Sequence, residues 1–139
     1  MARTLFERLI DREIPCHIVY EDAQVFAFLD IAPRSPGHTL LVPKEAAATM
    51  DCLSDQAAAA LGAVLPRLCR AVMRVSGADA YNVLQNNGAM ANQEIPHVHI
   101  HIIPRRHKEE GLIMTGPTSK LAHDEGEALA QKMRAELLD

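Results

Sequence analysis

Three histidines alternate with apolar residues in Pro96-His97-Val98-His99-Ile100-His101-Ile102-Ile103-Pro104. Alternation has period two, the period of a strand, so His97, His99 and His101 are expected on one face and Val98, Ile100 and Ile102 on the other. At roughly 3.3 Å per residue, neighbouring histidines on that face stand about 7 Å apart. Two chemistries use such a row. Imidazole is the commonest metal ligand. A neutral imidazole, with a pKa near about 6.5, also attacks phosphorus at neutral pH without an activating base, while its neighbours orient it and give protons to a leaving group. The bland alternative is three solvated side chains on the wet face of an antiparallel strand. Three of the chain's seven histidines lie in one five-residue stretch, which argues against it.

Two other segments carry polar residues suited to the same chemistry. In Pro36-Gly37-His38-Thr39, Gly37 allows a tight loop to enter a strand and His38 sits at that strand's start. Alone, such a histidine is structural or solvated more often than not. The segment Gln85-Asn86-Asn87-Gly88-Ala89-Met90-Ala91-Asn92-Gln93-Glu94 is rich in amides. Amides donate and accept, so the loop could bind ribose hydroxyls and phosphoryl oxygens. It reads equally well as a plain turn.

The elements that position these residues follow from local pattern. Thr4-Leu5-Phe6-Glu7 has the capping-box form, predicting a short helix over residues 4–11 that stops before Pro15. Residues 17–20 (HIVY) and 25–29 (VFAFL) read as hairpin strands with a turn at Glu21-Asp22. A loop at 31–37 leads to a third strand at 39–42, ended by Pro43. A long helix is expected over 54–76, capped by Ser54 and stopped by Gly77. Its apolar face is Leu61, Val64, Leu65, Leu68, Val72 and Val75, and Pro66 predicts a kink near Gly62. Residues 81–85 and 97–103 are the fourth and fifth strands, and 118–138 reads as a terminal helix with Leu129, Met133 and Leu137 in register. Strands joined by short turns, with helices at both ends and one in the middle, give the class α+β.

The chain has 139 residues, 48% of them hydrophobic, and reads as one domain spanning 1–139 with an ordinary core. A net charge of −4 argues against a nucleic acid polymer as partner, yet allows a small nucleotide in a local pocket. Cys16, Cys52 and Cys69 are odd in number and far apart, so no disulfide framework is expected. The N-terminal residues carry charges throughout and no run approaches the roughly 18 apolar residues of a membrane span, which predicts a cytoplasmic chain with no membrane partner. Arg105, Arg106, His107 and Lys108 read as a solvated basic run, Met90 as loop packing, and His17 and His123 as surface residues.

The stretch from His97 to Ile103 has the H-φ-H-φ-H-φ-φ signature, and the chain resembles the histidine triad (HIT) superfamily over nearly its whole length. The resemblance includes Arg12-Glu13-Ile14-Pro15, Val19-Tyr20-Glu21-Asp22, Ala27-Phe28-Leu29-Asp30-Ile31, Pro36-Gly37-His38, the Asn86/Gly88 loop and Gln93. It implies a five-stranded antiparallel sheet with a long central helix and short N- and C-terminal helices, usually as a homodimer whose sheets join. It implies a hydrolase or transferase acting at the α-phosphate of a purine nucleotidyl substrate, either an AMP phosphoramidate or a dinucleoside polyphosphate. His99 would attack phosphorus and form a covalent nucleotidyl-histidine, which water then hydrolyses. The His97 carbonyl would hold the nucleophile's other ring nitrogen, His101 would contact the phosphate, and His38 would buttress the site. Asp30 would bind ribose hydroxyls, Phe6 and Ile31 would lie around the base, and Asn86 and Gln93 near ribose and phosphate.

The chain departs from the family at three places. Glu94 stands where many relatives carry a small hydroxyl residue close to the leaving group; a carboxylate there repels phosphate, serves a cationic leaving group, or contributes its backbone N–H alone. Asn92 replaces a common glycine, and asparagine tolerates left-handed backbone. Thr4 and Glu7 stand where some bacterial relatives have a zinc-binding CxxC, so no metal or other cofactor is expected. Two rival readings remain: a metal-dependent hydrolase built on the HxHxH row with Asp30 and His38, and a non-catalytic nucleotide-binding dimer.

Overall fold

The computed structural model describes residues 3–137, so the C-terminal end of the helix expected to reach residue 138 lies outside the described residues. The first helix, α1 (Leu5–Ile10), forms where its cap predicts: the Thr4 hydroxyl accepts the Glu7 N–H while the Glu7 carboxylate accepts the Thr4 N–H. Two of the four unpaired donors at the helix start are thereby satisfied. Phe6 and Leu9, three apart on one face, are buried.

Five strands follow: β1 (Ile18–Glu21), β2 (Val25–Leu29), β3 (Thr39–Pro43), β4 (Ala80–Gln85) and β5 (Ile100–Arg105). They form one antiparallel sheet in the order β1-β2-β3-β5-β4. The fold is α+β, as the pattern predicts. The β1–β2 turn centres one residue later than expected, because the Asp22 carboxylate accepts the N–H groups of both Gln24 and Val25. The chain leaves β3 through the long helix α2 (Asp55–Ser76), capped by Ser54 and closed by Gly77 in left-handed backbone at φ 70°. This excursion puts β5, not β4, beside β3.

Side-chain parity sorts the core into two layers. Val25, Ala27, Leu41, Val98, Ile100 and Ile102 face α2, meeting Leu61, Val64, Leu68, Cys69 and Val72. Phe26, Phe28, Leu40 and Val42 face the other way and are covered by Phe6 and Leu9 of α1. Buried on both faces, β2 and β3 read as unbroken apolar runs rather than alternating ones.

The α2 helix is continuous through Pro66; the carbonyl deprived of its donor belongs to exposed Gly62, where water can take the bond. Three details correct the sequence reading. Val75 keeps the spacing of the apolar face yet is 90% exposed. The last helix is shorter than expected, α3 (His123–Glu136), with no buried residue and with Leu129, Met133 and Leu137 open to solvent. Met90 does not pack in its loop but is fully exposed.

Candidate active site

The histidine row lies on the sheet face covered by α1. On that face Phe28 pairs with Leu40, Leu40 pairs with His101, and Asp30 donates its N–H to the His38 carbonyl. Strand parity therefore brings Asp30, His38 and His101 to one patch at the end of the aromatic layer. Val98, Ile100 and Ile102 enter the α2-side core, as the alternation predicts.

Strand β5, however, begins at Ile100, so His97 and His99 precede it. The partner strand explains the late start. Pro43 closes β3 and has no N–H to give, and the Val98 N–H turns instead to the Ala47 carbonyl. Nor is this a wet face. His97 and His99 are buried, His101 is half-buried, and the rings of His99 and His101 have centroids 5.0 Å apart. Phe6 is the reason: its ring meets His99 edge-on at 4.8 Å and His97 at 5.9 Å.

The hydrogen bonds fix which nitrogen of each ring carries the proton. His97 lies 2.8 Å by Nε2 from the Pro43 carbonyl, an acceptor only, so Nε2–H donates and Nδ1 is left facing the Thr4 hydroxyl at 3.5 Å. His99 Nδ1 donates to the His97 carbonyl at 2.7 Å, which leaves the Nε2 lone pair available. His38 Nδ1 accepts the Arg34 N–H at 3.1 Å, so its Nε2–H donates to His101 Nδ1 at 2.9 Å. His101 therefore presents Nε2–H as a donor. The site holds one nucleophilic nitrogen and one hydrogen-bond donor side by side.

Burial pushes the pKa of His99 and of His38 down, the latter against the pull of Asp30. His101 is pushed down to about 4, by burial first and then by the charges of His99 and His38. All three are neutral at pH 7, the form a nucleophile needs. The same shifts act on stability. The unfolded chain protonates these histidines near the ordinary value of about 6.5, and the folded chain only at lower pH. Stability is therefore expected to fall as pH drops from about 6.5 towards 4, by roughly 1–3 kcal/mol. Urea titrations at a series of pH values measure this, and the His38→Gln, His101→Gln double variant is expected to flatten the slope.

Asp30, His38 and His101 also bring ligand atoms within 4.8 Å of one another. A metal there needs a lone pair on His38 Nε2, yet the Arg34 N–H holds Nδ1 as the acceptor and so keeps the proton on Nε2. Reversing the tautomer sets two N–H groups against each other. The donor set does not fit a resident metal.

Not all expected site residues converge. Asp30 lies 3.6 Å from His38 Nε2 and also accepts the Ala32 N–H at 2.9 Å. Ile31 is 86% exposed beside it. Asn86 is half-buried at the end of β4. The Gln93 amide is occupied inside the protein: its oxygen accepts the Gly88 N–H at 2.8 Å and its nitrogen donates to the Ala48 carbonyl at 2.6 Å. Asn92 has φ 67°, the left-handed backbone that asparagine tolerates. Glu94 is exposed. In the basic run, Arg106 is tied to Glu110, Ser76 and Pro36, which makes it a strut for the loop after β5. Thr4, Arg34 and Pro43 set ring tautomers and escaped the sequence reading. Arg34 and Pro43 act through backbone atoms, which leave no mark in the residue pattern. For Thr4 only its place in a capping box was visible.

Comparison with known proteins gives the family and the fold. The HIT domain family model matches residues 11–108. The chain is 42% identical over 133 residues to the Schizosaccharomyces pombe protein named adenosine 5'-monophosphoramidase hnt1, covering 96% of this chain and 97% of that one. It is 39% identical over 105 residues to the Arabidopsis thaliana protein named adenylylsulfatase HINT3, covering 76% of this chain and 53% of that one. Among solved structures, a hypothetical protein from Leishmania major superposes with a TM-score of 0.91 at 41% identity, covering 97% of this chain and 96% of that one.

Proposed function

The chain belongs to the HIT domain family, and from that premise we propose that it hydrolyses a nucleotidyl substrate at the α-phosphate, with His99 as nucleophile and an adenosine 5'-phosphoramidate as the substrate type. One observation carries the reading: His99 Nδ1–H is held by the His97 carbonyl at 2.7 Å, which frees Nε2 for attack. The Nε2 lone pair bonds to phosphorus as the phosphorus–nitrogen bond of the substrate breaks. That bond's electron pair leaves on the amine, which takes a proton from water. A water molecule then attacks the nucleotidyl-histidine, loses a proton to solvent, and returns the bonding pair to Nε2. The net products are AMP and amine. His101 Nε2–H donates to a non-bridging oxygen of the α-phosphoryl group, where charge builds up in the transition state.

The same reading assigns supporting roles to the surrounding residues. His38 holds the His101 tautomer. Asp30 reaches the ribose hydroxyls, Ile31 and Phe6 flank a purine base, and Asn86 lies near ribose and phosphate. Gln93 and Asn92 shape the phosphate loop. The relatives' printed names, one a monophosphoramidase and one an adenylylsulfatase, favour an AMP substrate with a small leaving group.

We read the chain as one domain that works in the cytoplasm as a homodimer. Among the described residues no helix is long and apolar enough to cross a membrane. Dimerisation accords with the free edge of β4, where Tyr81 and Val83 are exposed, and with the uncovered apolar side chains of α3. Sedimentation at the monomer mass would remove the dimer from this reading. The activity itself is tested by chromatographic release of AMP from an adenosine phosphoramidate in excess chelator. Turnover that persists supports histidine chemistry. Turnover that requires an added divalent metal contradicts it.

A further inference from the structure

The loop between β2 and β3, residues 31–37, is exposed at every position but one. Ser35, within it, is 3% exposed. The cause lies in the neighbouring strand. β3 pairs with β5 no further than Thr39 opposite Ile102. Two residues on, the buried Pro104 is paired with Tyr81 of β4 but has no β3 residue opposite it. The Ser35 hydroxyl fills that gap and donates to the Pro104 carbonyl at 2.6 Å. It supplies the bond that a strand N–H would otherwise give. Loop and strand are in contact here, since a Cβ added at Gly37 would stand 3.4 Å from Pro104 Cγ.

What this tie holds in place is His38. The Ser35 carbonyl accepts the His38 N–H at 3.1 Å, closing the turn that enters β3. Arg34, the residue before, gives its backbone N–H to His38 Nδ1 at 3.1 Å. That bond keeps the His38 proton on Nε2, and the Nε2–H in turn keeps the His101 proton on its own Nε2. Without the Arg34 bond the pair can reverse, with His101 Nδ1–H donating to His38 Nε2. His101 then turns a lone pair, not a proton, toward the phosphoryl group. Asp30 lies 3.6 Å from His38 Nε2, beyond hydrogen-bond reach, and does not hold the proton there by itself. Arg106 also grips the loop, at the Pro36 carbonyl, but from the exposed side where water can take its place. The Ser35 bond is buried, and its loss is not so easily made good.

We infer that Ser35 is a positioning residue for the reaction: its hydroxyl pins the loop to β5, so that the Arg34 N–H stays aimed at His38 Nδ1 and His101 keeps an N–H for the phosphoryl oxygen. This rests on the reading that His101 donates to the α-phosphoryl group. Ser35 acts through Arg34, His38 and His101 and takes no part in bond making. The proposed contacts to base and ribose lie on other residues, so its loss acts on the transition state more than on binding.

The test compares the full chain as wild type, Ser35→Ala and Ser35→Cys, the last close to serine in size but a weak donor. One readout is kcat and KM for an adenosine phosphoramidate. The other is the tautomer of each histidine ring, by nitrogen NMR of histidine-labelled protein at neutral pH. In wild type, His38 and His101 are expected as Nε2–H forms and His99 as Nδ1–H. Ser35→Ala is expected to mix the two forms at His38 and His101 and to leave His99 unchanged. Its kcat is expected to fall about tenfold with KM within about twofold, a part of the roughly 10²–10³ that losing an oxyanion donor outright costs. Ser35→Cys is expected to fall between the two, and it carries the same readouts if Ser35→Ala does not fold. Wild-type tautomers at His38 and His101 in the variants, whatever happens to kcat, would overturn the inference and leave the reading of His99 intact. Mixed tautomers with kcat unchanged would instead overturn the donor role of His101 on which the inference rests.

Discussion

Replacing His99 with alanine is expected to lower AMP release from an adenosine phosphoramidate by roughly 10⁴-fold or more, the scale seen when the nucleophile of a covalent mechanism is removed. The size of the effect follows from the hydrogen-bond pattern. His97 Nδ1 faces the Thr4 hydroxyl and its Nε2 is tied to the Pro43 carbonyl, so that ring has no free lone pair aimed at substrate. The Nδ1 of His101 is engaged by His38 and its Nε2 bears the proton. Neither neighbour can take over the attack without giving up a buried hydrogen bond. Binding is a separate matter, since the proposed contacts to base and ribose lie on Phe6, Ile31 and Asp30. Mononucleotide affinity, read by calorimetry, is expected to change less than about tenfold. Undiminished hydrolysis by the folded variant would contradict the assignment.

The second large effect is expected at Phe6. Its ring is buried, tilted against Phe28 at 5.7 Å, and edge-on to both His97 and His99. Phe6→Ala removes a large side chain from a covered site, with an expected loss of about 3–5 kcal/mol. For a chain of this length that is on the order of a 10 °C fall in Tm. Leu9→Ala, from the same helix face but without a ring against the histidines, gives the control. It is expected to destabilise by about 2–4 kcal/mol and to leave the activity of the folded fraction near wild type, whereas Phe6→Ala lowers both. A loss under about 1 kcal/mol for Phe6→Ala would mean that α1 does not cover the site as described.

These two residues mark how far the sequence could be read. The triad and its partition between core and site follow from period two alone, and Val98, Ile100 and Ile102 enter the core accordingly. The capping box, the Ser54 cap and the Gly77 stop are local signals, and each forms as its residues dictate. What could not be read is what lies above a face. Nothing in the alternation says that α1 folds back over His97 and His99, so their burial could not be read from the strand pattern. The start of β5 depends on Pro43 ending the neighbouring strand and on Ala47 capturing the Val98 N–H, both long-range facts. Val75 keeps the helical spacing of the apolar face, yet nothing in the spacing shows that it is left exposed. The tautomers depend on backbone groups at Arg34, Pro43 and His97, which any residue could supply.

The central claim is a covalent bond between His99 Nε2 and the α-phosphorus. Intact-protein mass spectrometry during turnover of an adenosine phosphoramidate, with acid lability as a second readout, tests it most directly. The account predicts an acid-labile adduct of one AMP on wild type and none on His99→Ala. Rapid turnover by wild type with no adduct at any quench time, or an adduct that survives in His99→Ala, would contradict it.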